Sequence, residues 1–254
     1  MKKILLILLL FVAFTSSHAQ QTLIYTHSDR LFEQGKELFD QQKYMASYRS
    51  FEEFLNSTDK IQAGQRHEAE YYLIANAFEL RQQHTFSLIQ HFLTSNPYTP
   101  FINKLYAMLG ILLYEENQFE DALSYFNKVN EKRLNRREKL NFLFCKAYAL
   151  LGTESYHEAL VIFKDLKDQK FQRQEDAKYY YAYTEYALQD YSAALPEFLS
   201  LEKSEVYKEK VAFYLFQIYY YLGIRKEMNE KYEFITTHYP NHPDNAEIYR
   251  IKGE

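Results

Sequence analysis

The chain repeats itself with a period of about 35 residues, and that period restricts the possible folds more than any other feature of its 254 residues. The clearest trace is an aromatic residue followed by alanine and then phenylalanine. It reads Phe119, Ala122, Phe126, then Tyr156, Ala159, Phe163, then Tyr191, Ala194, Phe198. The alanines stand 37 and 35 residues apart. Beyond them come Met228 and Tyr232, with Pro240 closing the unit. Upstream, the period leads to Ser87 and then to Ser47, the latter flanked by Tyr44 and Phe51 at the same offsets. Such a period belongs to repeat architectures, in which a unit buries its apolar face only by stacking on its neighbours.

Each unit reads as two helices. Tyr106, Leu109, Gly110 and Leu113 share one helical face, Glu115 to Gln118 is a polar break, and Phe119, Ala122, Leu123 and Phe126 open a second face. The first helices carry a small residue at a fixed place: Gly35, Ala75, Gly110, Ala147 and Ala182. A small residue lets two helix axes approach while a phenylalanine fills the space beside it. Gly152 and Gly223 stand just past a first helix, where a left-handed cap is expected. Pro240 and Pro243 stop the last second helix, and Pro196 lies inside one, where it is expected to kink it. Only 6 glycines and 5 prolines occur in the chain. That is too few for the turns of a sandwich or barrel, and it leaves no material for a glycine-rich phosphate loop.

Leu109-Gly110 followed by Ala122-x3-Phe126 resembles the tetratricopeptide repeat (TPR), whose signature is Leu-Gly, an aromatic, Ala-x3-Phe and a closing proline. Tyr156, Ala159 and Phe163 match with Ala147 in place of the glycine, and Met228, Tyr232 and Pro240 match more loosely. The resemblance covers roughly residues 29–240. It implies an all-α, right-handed TPR-like α-solenoid of about six helix-turn-helix repeats. Residues 241–254 would be a C-terminal capping helix or the start of a further repeat. In the unit from Ala75 to Pro97 the second helix has two possible registers, one on Ser87 and His91 and one shifted from it. The Tyr- and Phe-rich repeats, the absence of Trp and the N-terminal segment are similar to exported TPR proteins of Bacteroidetes-type bacteria.

Lys2 and Lys3, the apolar run Ile4 to Phe14, and Ser17-His18-Ala19 have the layout of a cleaved signal peptide over residues 1–19. The run is too short to span a bilayer. Residues 20–28 then read as a short exported leader. The expected location is the periplasm or cell envelope of a Gram-negative-type bacterium. No cysteine lies near the cut, which disfavours a lipid anchor. Removing residues 1–19 changes the charge from −4 to 28 − 34 = −6, mixed in sign, with no basic footprint for nucleic acid. Cys145, the only cysteine, lies in an apolar helical stretch and reads as a small buried hydrophobe.

Nothing in the chain assembles a catalytic or metal motif. Gly35-Lys36-Glu37 lacks the glycine and the hydroxyl of a P-loop. His157-Glu158 opens like a zincin helix, but Val161 stands where the second histidine belongs. His238 and His242 are separated by Pro240, and His84 and His91 lack a third ligand. No enzyme, cofactor or metal is expected.

A second stripe runs along the first helices. At 100° per residue, Tyr179, Tyr183 and Tyr186 lie together beside the packing face. Equivalent positions are Phe213, Gln217 and Tyr220 in the next unit and Phe144, Tyr148 and Leu151 in the preceding one. Earlier come Ala107, Ile111 and Tyr114, and then Tyr72, Asn76 and Glu79. The TPR resemblance implies that this stripe lines a concave groove holding a segment of another envelope protein; the same positions also suit packing between repeats. A TPR subfamily that clamps a C-terminal carboxylate has Lys and Asn four apart here, and only Asn76 matches. The expected function is a non-catalytic interaction scaffold. The alternatives are an outer-membrane assembly factor of the small TPR type and the sensor half of a larger signalling protein.

Overall fold

A computed structural model describes residues 27–57 and 60–253. The expected signal peptide and most of the leader lie outside the described residues. Among those described, every regular element is helical. Six pairs follow one another: α1 (His27–Asp40) with α2 (Tyr44–Asn56), α3 (Ala63–Glu79) with α4 (Thr85–Ser95), α5 (Ile102–Glu115) with α6 (Phe119–Phe126), α7 (Arg136–Gly152) with α8 (Tyr156–Leu166), α9 (Gln174–Ala187) with α10 (Tyr191–Ser200), and α11 (Lys208–Tyr221) with α12 (Arg225–His238). A thirteenth helix, α13 (Asn245–Gly253), packs on α11 through Ile248 and Ile251. The chain divides into two compact units, residues 1–92 and 93–254.

The turn inside each pair is built the same way. One residue takes a left-handed backbone: Gln42, Arg81, Asn117, Glu154, Gln189 or Gly223, with φ between 56° and 71°. Its N–H donates to the carbonyl three residues back, and the next N–H reaches five residues back. Glu154 to Leu151 (3.0 Å) and Ser155 to Leu150 (2.8 Å) are one instance, Gly223 to Tyr220 and Ile224 to Tyr219 another. This hydrogen-bonded cap satisfies carbonyls that the helix end would leave open. Five of the six positions hold a residue with a side chain, at a cost of about 1–2 kcal/mol each. Gly223 has the expected conformation. Gly152 does not, because α7 runs through it and Glu154 takes the left-handed place.

Gly152 serves space instead: a Cβ there would run into the ring of Phe119. Gly110 makes the same room for Phe126, and on Gly35 a Cβ would come within 2.9 Å of Phe51. In the pairs begun by α3, α7 and α9 alanine takes this place, whereas in α11 the position is Phe216. Ala75, Ala147 and Ala182 on the first helices and Ala122, Ala159 and Ala194 on the second are wholly buried, as are Phe126, Phe163 and Phe198. Tyr232, at the corresponding place in α12, is only partly buried, and Ile235 one turn on fills the interior.

In α4 the buried residues are Thr85, Ile89 and Phe92, while Ser87 and His91 face solvent. The helix therefore takes the shifted register, 37 rather than 35 residues ahead of Ala122. Helix α10 continues through Pro196, which sits on an exposed face. Cys145 is buried.

Gly110→Ala should lower the unfolding free energy by about 1–3 kcal/mol, because Phe126 must give way. Gly64→Ala, where an added methyl meets nothing, should raise it by about 0.4–1 kcal/mol. Urea unfolding followed by circular dichroism measures both. Equal effects would show that Gly110 is not the close-contact position.

Candidate interaction face on the first helices

The stripe divides into residues that reach the surface and residues that do not. In the first unit, Asn76 is fully buried: its Nδ2 donates to Ser47 Oγ (2.9 Å) and to the Tyr72 carbonyl (2.8 Å). It ties α3 to α2 and has no surface for a partner's carboxylate. Tyr72 stacks on Phe51 at 4.8 Å and meets Phe39 edge-on.

In the second unit, Phe144, Tyr179 and Phe213 are buried to 5% exposure or less. Tyr179 stacks on Tyr207 at 4.2 Å, Phe213 packs on the His242 ring at 4.2 Å, and the Arg173 guanidinium lies 3.7 Å above Phe144. As groove residues these three, like Asn76, are corrected. They belong to the packing between successive pairs. The residues one turn further along, Tyr148, Tyr183 and Gln217, are half-buried, as are Tyr114, Tyr186 and Tyr220. Four residues rotate a helix position by only about 40°, so the two rows are nearly superimposed on a helical map. What separates them is the neighbouring repeat, which covers one row and leaves the other at the surface.

A polar network lies beneath this face. Tyr207 donates to Asp176 Oδ1 at 2.7 Å. Arg173 bonds the other Asp176 oxygen (3.4 Å) and the Tyr114 hydroxyl (3.1 Å), with a longer contact to Cys145 Sγ (3.9 Å). The guanidinium thus joins α5, α7 and α9 and leaves Asp176 balanced. The helical map missed Arg173 and Tyr207 because both stand just before a first helix begins, where no periodicity marks them. Among the described residues, no three of His, Cys, Asp or Glu gather as a metal site, and no helix is long and apolar enough to cross a membrane.

No family model matches the chain, and no curated protein matches it. Solved structures do. PilF of Pseudomonas aeruginosa is similar with a TM-score of 0.58 at 12% identity, over 88% of this chain and 96% of that one. The C-terminal part of a TPR repeat-containing protein from Cytophaga hutchinsonii gives 0.53 at 16% identity, over 93% and 92%. A tetratricopeptide repeat protein from Parabacteroides merdae gives 0.50 at 15%, over 89% and 84%. The chain has the TPR fold.

Within this TPR fold the hydroxyls of the first-helix face are unequally used. The hydroxyls of Tyr179 and Tyr214 pair with each other, as do those of Tyr180 and Tyr148. Tyr186 donates to Gln217 Oε1. Tyr183 has no hydrogen-bond partner among the described residues; its ring meets Tyr214 edge-on at 6.0 Å. The amide N–H groups of Gln217 likewise have no acceptor there. Tyr148, Tyr183 and Gln217 hold the same register in three successive first helices, 35 and 34 residues apart. The face therefore leaves open the Tyr183 hydroxyl, which can donate or accept, and the Gln217 N–H groups, which can only donate.

Burial raises the phenols of Tyr179, Tyr180, Tyr186 and Tyr207 well above the ordinary tyrosine value. Burial, with Glu185 beside it, pushes Tyr181 up to about 12. A raised phenol keeps its proton where the unfolded chain loses it. Its stabilisation is full below about pH 10 and is lost as pH rises through the folded values. Tyrosinate absorbance of the folded protein should show a class of phenols that stays neutral well above pH 10 and titrates normally in denaturant. A single folded-state transition near pH 10 would contradict the burial of these rings.

Proposed function

We propose that the chain is a non-catalytic protein–protein interaction scaffold of the bacterial cell envelope, which holds a segment of a partner protein against the first-helix face of residues 102–221. The observation that carries this reading is the half-buried row Tyr148, Tyr183 and Gln217, flanked by Tyr114 and Tyr186. Tyrosine brings a large contact area at little cost in rotamer entropy. Three of these rings come from three different first helices of one compact unit, so a partner lying across them would touch several repeats at once. Export is supported by Lys2, Lys3, the apolar run to Phe14 and the small residues before Gln20.

The test is affinity capture from an envelope extract, using residues 20–254 as bait. The paired bait carries Tyr183→Ala and Gln217→Ala, which removes surface and leaves Phe144, Tyr179 and Phe213 in place. A specific envelope protein retained by the first bait and lost from the second, at equal helicity, is the expected result. Equal retention by both baits would remove the face from the function.

A further inference from the structure

Two tyrosine pairs stack nearly face to face between successive helix pairs. Tyr179 lies on Tyr207 with ring centroids 4.2 Å apart, and Tyr191 lies on Tyr221 at 4.4 Å with their planes 11° apart. The first pair is interior and its hydroxyls are engaged: Tyr207 donates to Asp176, and Tyr179 pairs with Tyr214. The second pair is at the surface. Tyr221, the last residue of α11, is 48% exposed, and Tyr191, the first residue of α10, is half-buried. Neither hydroxyl has a hydrogen-bond partner among the described residues. The two hydroxyls lie close to each other, because burial and then the neighbouring Tyr221 phenol raise the Tyr191 phenol.

This arrangement suits one reaction. A one-electron oxidant takes an electron from a phenol, the hydroxyl proton leaves to water, and the unpaired electron spreads to the ring carbons beside the oxygen. Two such radicals join through those carbons. The new carbon–carbon bond uses both unpaired electrons, and the hydrogen on each joined carbon moves to its own oxygen through solvent, restoring two phenols. In all, two electrons and two protons leave the protein. With a haem peroxidase as the oxidant they reduce one hydrogen peroxide to two waters. Rings already in contact meet without a bimolecular search. Cys145, the group peroxide would otherwise attack, is buried, and as the only cysteine it closes no disulfide within the chain.

We propose that Tyr191 and Tyr221 are an oxidative modification site, joined as dityrosine by a peroxide-driven one-electron oxidant, and that the bond staples α10 to α11. It would close a loop of 221 − 191 = 30 residues and restrict the unfolded chain as a disulfide does. The proposal is independent of the interaction-scaffold reading.

The test treats dilute purified protein with a haem peroxidase and limiting hydrogen peroxide. Dityrosine fluorescence should appear in the monomer band of a denaturing gel. After trypsin, peptides 179–203 and 211–225 should be found joined and lighter by two hydrogens, with fragmentation placing the bond at Tyr191 and Tyr221. Tyr191→Phe and Tyr221→Phe keep the rings and remove the phenols, so each should abolish the joined peptide at unchanged helicity. Tyr98 is 97% exposed and can join two chains; Tyr98→Phe should lose covalent dimers and keep the monomer product. The cross-linked monomer should also melt at a higher temperature than the untreated chain. Dityrosine confined to dimers, a bond placed at other tyrosines, or a yield unchanged by Tyr221→Phe overturns the site. An unchanged melting temperature overturns the staple.

Discussion

Four of the six helix pairs close where a second-helix phenylalanine, Phe51, Phe126, Phe163 or Phe198, meets a first helix at a residue with little or no side chain. Gly35 under Phe51 and Gly110 under Phe126 are the tightest instances, and alanine fills the same place elsewhere. The contact sets how near the two axes come, and hence how the next pair can stack. It also explains why so few glycines suffice. Three of the six are placed where a Cβ would collide, and the left-handed turns, which could use glycine, are mostly made by residues with side chains. The six identical hydrogen-bonded caps offset that backbone cost. The turn is specified by geometry that many residues can adopt, whereas the packing contact tolerates almost none.

That asymmetry decides what was legible in the sequence. The alanine and phenylalanine positions could be read because only small and large residues satisfy them. The turn positions could not, since Gln42, Arg81, Asn117, Glu154 and Gln189 have nothing in common but their backbone. Gly152 was misplaced for the same reason: it stands close to the turn, yet its task is to admit Phe119. The register of α4 escaped because Thr85 and Ile89 replace the alanine and phenylalanine that mark other second helices. Both substitutes pack acceptably and neither repeats the motif.

The candidate face was legible only as a stripe. A helical map places a residue by angle and carries no information on what the next repeat covers. Phe144 and Tyr148, or Tyr179 and Tyr183, differ by a single turn and about 40°, yet one of each pair is interior and the other surface. The deciding partners, Tyr207 over Tyr179 and Arg173 over Phe144, come from segments preceding a first helix, 28 or 29 residues further along the chain. No single-helix pattern reports a contact at that separation.

The same inter-repeat packing gives the face its chemistry. Because the buried row is aromatic, the hydroxyl of Tyr179 must find a partner, and it pairs with Tyr214, while the neighbouring Tyr180 pairs with Tyr148. Gln217 spends its carbonyl on Tyr186 and keeps its N–H groups. Satisfying the interior thus leaves the Gln217 N–H groups at the half-buried surface. A buried polar group left unmatched is costly, whereas half-buried groups such as these can be satisfied by water. The arrangement that completes the core of this TPR fold also decides which polar groups remain at its surface.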